Sequence, residues 1–265
     1  MFSFLNRKRP PKPIDVMNRA LALRKVVGYA FLIPPKEMLD TLQQDWTAEQ
    51  KNDLRHELES LQKDYWEQAS STKKFLTADE LAFSKATHAT VTSQQIMNFT
   101  WRLEAFHVLL WALKVVDKLH PYDIQTAGEI LENWPPEYGN QLTPTMRPMS
   151  EIEEARELAE LWHWRSRTRQ LIENGETLRG SPEMKRAGIN TYDDIVRMSA
   201  KAAREEKTDI GLIDEDFALL GKAYRDLSDE EYAQVTSITM ERHFAFTWLC
   251  GYAPGNRWDE TPTDT

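Results

Sequence analysis

The chain has 265 residues, 41% of them hydrophobic, with nine Trp and ten Phe; that is enough apolar mass to close a core, and it excludes intrinsic disorder. Its 33 Lys and Arg stand against 42 Asp and Glu, a net charge of -9, and an acidic surface of that kind repels polyanions, so nucleic acid is not an expected partner. A single cysteine, Cys250, excludes an intrachain disulfide and a CxxC zinc site; the expected location is the reducing cytoplasm, with the thiol acting as a small buried hydrophobe.

Residues 1–13, MFSFLNRKRPPKP, are too poor in apolar residues for the core of a signal peptide and read as a basic flexible leader, with 14–265 as a single helical domain. Few glycines and abundant Leu, Ala, Glu and Lys predict helix almost throughout. Apolar residues repeat at three and four over 14–32, which ends at Pro34-Pro35. Capping boxes at Thr47–Gln50 and Thr77–Glu80 open the next two helices. The 93–119 segment is apolar nearly all round in its second half and is expected to be the buried centre of the fold. Its 12-residue run AFHVLLWALKVV, broken by His107 and Lys114, falls short of the roughly 20 residues needed to cross a bilayer, so stable membrane insertion is not expected.

A short helix is expected near 123–132, followed by a Pro-rich connection at 133–149. A long helix follows from N-cap Ser150 to Gly175, with acids in its first turn and bases in its last. Further helices are predicted at 191–206 and 214–226, and a last one from N-cap Ser228 to Gly251. The expected architecture is all-α, about eight to ten helices around the central one.

No GxSxG, HExxH, GxGxxG, Walker or EF-hand pattern occurs. Three pairs, Asp53–His56, Glu104–His107 and Glu160–His163, have the acid-x-x-His spacing that places two metal ligands on one helix face. In a chain so rich in acids the spacing arises by chance, and ordinary ion pairs and hydrogen-bonded core histidines are the simpler reading; no metal and no cofactor is expected. Glu104 shares a helical stripe with Trp101, Ala105, Val108 and Trp111, and Glu241 shares one with Ile238, Ala245 and Trp248. A carboxylate on an apolar stripe is costly unless paired, and Arg102, Arg165, Arg242 and Arg257 are the candidate partners. A buried network that fixes helix register is expected before a catalytic carboxylate.

The stretches WRLEAFHVLLWALKVV (101–116), His163-Trp164, and ERHFAFTWLCGY followed by WDETPTDT at the end together resemble the bacterial family called domain of unknown function 4272. His107 stands where that family's pattern requires no histidine, and Arg165 stands where a small residue is commoner. The family has no assigned function, so the resemblance implies no activity, substrate or cofactor; it does mark positions. The candidate binding set is Arg102, Glu104, His163, Glu241, Arg242, His243, Trp258, Asp259 and Asp264. The expected function is a module that binds a protein or small-molecule partner. The alternative is an enzyme of unrecognised type built on Glu104, His163, Glu241 and His243, with a metal-dependent variant. The ending 241–265 is expected to be a core helix stopped by Gly251, a turn through 254–256, and a docked segment. There Trp258 fills an apolar gap while Asp259 and Asp264 take backbone amides or an arginine such as Arg102 or Arg242.

Overall fold

The computed structural model describes residues 9–134, 144–205, 208 and 210–263. Most of the expected Pro-rich connection and both Asp264 and Thr265 lie outside the described residues. The helices are α1 Pro13–Leu32, α2 Lys36–Leu42, α3 Ala48–Gln68, α4 Ala78–Lys85, α5 Ser93–Ala112, α6 Met149–Glu173, α7 Pro182–Arg186, α8 Tyr192–Glu205 and α9 Asp229–Leu249. Strands β1 Leu212–Ile213, β2 Asp216–Leu219 and β3 Lys222–Ala223 form one antiparallel sheet in the order β1-β2-β3.

The protein is therefore predominantly α-helical, not all-α, and the helix expected at 214–226 is corrected to this small sheet. Ile213 pairs with Asp216 and Leu219 with Lys222, which leaves two-residue turns at Asp214-Glu215 and Leu220-Gly221. All four turn residues have positive φ, as tight hairpin turns of this kind demand. Glu and Leu are poor signals for that conformation, and the apolar spacing around them mimics a helix.

The capping boxes of α3 and α4 form as expected, and a third, Thr92 with Gln95, opens α5. Ser228 accepts from the Glu231 amide at the start of α9. Ser150 is not an N-cap, because α6 already begins at Met149. The central helix ends at Ala112 instead of 119. Lys114 takes a left-handed φ of 61°, with its N–H bonded to Trp111 O and that of Val115 to Leu110 O. This is a Schellman stop without glycine, so no sequence signal announced it. Downstream, the short helix expected near 123–132 is only a 3-10 turn at Gly128–Glu132.

Two compact units emerge, and α6 and α9 contribute residues to both. One takes the described residues within 1–119, 126–153 and 244–262. In it α1 packs along α5, where every residue from Leu103 to Ala112 is buried. Tyr29 sits at the centre of an aromatic cluster, 5.4 Å from both Trp66 and Phe83. Gly28 in mid-helix is explained by Tyr65: a Cβ there would lie 2.6 Å from the Tyr65 hydroxyl, which donates to Lys25 O. Arg19 and Glu80 form a buried bidentate ion pair. The C-terminal segment is docked, with Trp258 buried against Phe244 and Trp248 and under the Arg19 guanidinium.

The second unit takes the described residues within 120–125, 154–243 and 263–265. Its organising contact is a fully buried ion pair, Arg165 Nε to Asp216 Oδ1 at 2.6 Å and Nη2 to Oδ2 at 2.7 Å, with the guanidinium over the Tyr224 ring. Asp216 also accepts the Phe217 and Arg225 amides, so this carboxylate is saturated.

Gly251 ends α9 as expected, with φ of 77° and the bonds Gly251 N–H to Trp248 O and Tyr252 N–H to Thr247 O. A Cβ here would also lie 2.5 Å from the Arg9 and Pro10 backbone. Gly251→Ala is expected to lower the unfolding free energy read from urea denaturation by at least the ~1–2 kcal/mol of a left-handed side chain, with a matching fall in the midpoint. Lys114→Gly, which relieves the same strain at an exposed site, is expected to raise that free energy by up to about 1 kcal/mol. Unchanged midpoints in both variants would contradict these helix stops.

Candidate functional site

Glu104 is 1% exposed on α5 and takes two hydrogen bonds from one residue: Thr126 N–H at 2.6 Å to Oε1 and Thr126 Oγ1–H at 2.9 Å to Oε2. His107, one turn on, has its ring nitrogens 3.0 Å from Thr126 Oγ1 and 3.3 Å from Lys118 O. The pair thus serves the backbone that follows α5. Asp53 and His56 lie exposed on α3, where His56 faces Glu59 at 3.8 Å. Among the described residues no group of three His, Cys, Asp or Glu side chains is arranged to hold a metal ion.

On α9, Arg242 is fully buried and donates to the carbonyls of His120, Pro121 and Ile124, with its guanidinium 5.0 Å from the Tyr122 ring centre. Glu241 is buried beside it in sequence. His243 stacks on His163 of α6, with ring centres 4.8 Å apart and planes 13° from parallel. The His163 Nε2–H donates to Thr263 O at 3.1 Å, which leaves Nδ1 as the lone-pair nitrogen, buried and without a partner among the described residues. Burial lowers both imidazoles. That of His243 falls to about 4, with the neighbouring His163 and Arg156 adding to the effect of burial; that of His163 also falls, opposed by its bond to Thr263 O and assisted by Arg167. Both rings are neutral near pH 7.

Arg102, Trp258 and Asp259 come together. They help line a hollow of about 430 Å³ between α4, α5 and the C-terminal turn, whose walls also include Asp79, Asn98 and Phe99. The Arg102 guanidinium lies 5.2 Å from the Phe244 ring centre. A second hollow of about 390 Å³ adjoins the first and shares Thr77, Trp258 and Asp259 with it. Asp259 is exposed here and makes no hydrogen bond or ion pair among the described residues, unlike the anchored carboxylate expected. Asp264 lies outside the described residues. In the other unit, His163 lines a separate hollow between α6 and α9.

A model of the domain of unknown function DUF4272 matches residues 6–181, more than half of the chain. The chain belongs to the DUF4272 family. The matched span takes in the central helix with Arg102 and Glu104 and, on α6, His163 with Trp164. The 241–265 ending, which carries part of the resemblance read in the sequence, lies beyond it. No curated protein and no solved structure matches the chain.

Sequence reasoning missed Asp79, Gln95 and Asn98, which line the first hollow, and Ser166, Arg167 and Thr236, which line the third. Polar residues on amphipathic helices read as solvated faces. A usable signal did exist for Arg167: its neighbours three and four residues away on α6, namely Trp164, Gln170, His163 and Leu171, include no acid.

Because folding lowers the His243 pKa from an ordinary 6.5 to about 4, the unfolded chain binds the extra proton first as pH falls. Stability is therefore full above about 6.5 and declines from there to about 4. His243→Phe, which keeps a flat ring, is expected to make the fall of the unfolding midpoint across that window shallower, with His163 retaining a smaller dependence of the same sign. A variant with the wild-type slope would show that another group carries it.

Proposed function

We propose that this protein is a binding module that receives an extended peptide segment in the two adjoining hollows around Trp258. The observation that carries this reading is the shared ridge: two concavities of similar size meet at Trp258 and Asp259. A compact small molecule fills one pocket, whereas successive hollows across a ridge suit alternate side chains of an extended chain. Phe83, Phe99 and Phe244 give the first hollow its apolar wall, and Gln95 and Asn98 offer amides to a peptide backbone. Asp79 and Asp259 are exposed and form no ion pair among the described residues, so a basic side chain on the ligand has a counter-charge waiting. Glu104 supports the enzyme reading less well, since its hydrogen bonds to Thr126 hold backbone in place and it lines neither hollow.

An arrayed peptide library followed by fluorescence anisotropy tests this directly. Peptides pairing an aromatic or aliphatic residue with Lys or Arg are expected to bind. Ala82→Trp, which fills the first hollow from an exposed position on α4, and Asp259→Lys are each expected to weaken them at least tenfold without moving the thermal midpoint. Equal affinity in wild type and Ala82→Trp would refute the site.

A further inference from the structure

The hollow between α6 and α9 differs in chemistry from the pair around Trp258. It measures about 550 Å³ and is lined by His163, Ser166, Arg167 and Gln170 from one wall and by Tyr232, Thr236 and Met240 from the other, with Thr263 at one end. None of these side chains is a carboxylate, in a chain with 42 acidic residues. Along the same helix, Arg156 pairs with Glu160, Arg165 with Asp216 and Arg169 with Glu173. Arg167 has no such partner among the described residues. Its one bond goes from Nη1 to the Gln170 amide oxygen, and the rest of its fork is uncommitted.

The opposite wall adds hydroxyls. Thr236 Oγ1 lies 2.8 Å from Ser166 Oγ, and Tyr232 spends its own hydrogen on Ser166 O. The Ser–Thr contact consumes only one of its two hydroxyl hydrogens. His163, with Nε2–H bound to Thr263 O, brings no negative charge, and Met240, 42% exposed, offers an apolar flank.

We propose that this hollow is an oxyanion site, taking a small ligand through phosphoryl or carboxylate oxygens held by Arg167 with hydroxyl donors from Ser166 or Thr236. It is independent of the peptide reading, since it uses other residues and the opposite charge preference. A guanidinium with no carboxylate partner among the described residues, at the edge of a donor-lined hollow, holds an anion through charge-assisted bonds, and the lack of any acid among the described residues of the wall removes the repulsion that the protein's net charge imposes elsewhere.

The test titrates inorganic phosphate and, separately, acetate into the full chain at constant ionic strength, following backbone amide shifts by NMR. At least one anion is expected to give saturable shifts over 163–170 and 232–240: phosphate alone assigns a phosphoryl ligand, acetate alone a carboxylate, and both a general oxyanion site. Arg167→Ala, at an exposed position, is expected to weaken binding at least tenfold, with partial recovery in Arg167→Lys. Arg186→Ala, on α7 and paired with Glu183, and Ala82→Trp are expected to leave it unchanged. Saturable binding that is equal in wild type and Arg167→Ala, or no saturable shift with either anion, would overturn the proposal.

Discussion

The backbone that follows α5 has hydrogen-bonding groups that no helix or sheet satisfies, and buried or half-buried charged side chains satisfy them instead. In the first unit, Arg147 donates to the carbonyls of Trp111, Val116 and Asp117, and Arg24 to that of Leu131, while Glu104 takes the Thr126 amide and hydroxyl. In the second, Arg242 serves His120, Pro121 and Ile124. The β-hairpin region follows the same rule: Arg169 donates to Tyr224 O and Leu227 O, and the Arg165–Asp216 pair takes the Phe217 and Arg225 amides. A guanidinium suits this work because its five donors reach two or three carbonyls at once. Each buried carbonyl left unmet would cost about 1–3 kcal/mol.

That constraint decides how polar residues are read. A carboxylate or guanidinium on an apolar stripe is a conspicuous signal, and in Glu104 and Arg242 it marks a brace for irregular backbone. The surfaces suited to ligands are made from less conspicuous residues. Asp79, Asp259 and Arg167 sit on exposed faces, line the hollows and form no ion pair among the described residues. The structural charges are buried or half-buried and bonded, whereas Asp79, Asp259 and Arg167 in the hollows are exposed.

Much of the helical framework was legible from local chemistry. The capping boxes of α3 and α4, the all-round burial of the second half of α5 and the Gly251 stop each depend on residues within one or two turns. The docking of Trp258 was legible too, because a large aromatic residue beyond a helix stop has little reason to remain in water. The hairpins were not, since their turns place Glu215 and Leu220 at positive φ, and the early end of α5 was not, since Lys114 does the work of glycine. Those conformations are imposed by tertiary contacts that no local pattern encodes. The pairing of Arg165 with Asp216 spans 51 residues, and one sequence holds no sign of a partner at that distance. In the candidate sites, single aromatic and charged positions could be picked out, but the hollows that group them depend on helix packing.

Amide hydrogen exchange at Thr126, whose N–H is buried and donates to Glu104, reads directly whether charged side chains brace the backbone after α5. In Glu104→Ala, protection at Thr126 is expected to fall by about 5- to 150-fold, corresponding to the ~1–3 kcal/mol of one unmet buried group, while the amides of α1 and the second half of α5 keep theirs. Unchanged protection at Thr126, or a uniform loss across α1, α5 and Thr126 alike, would contradict that bracing.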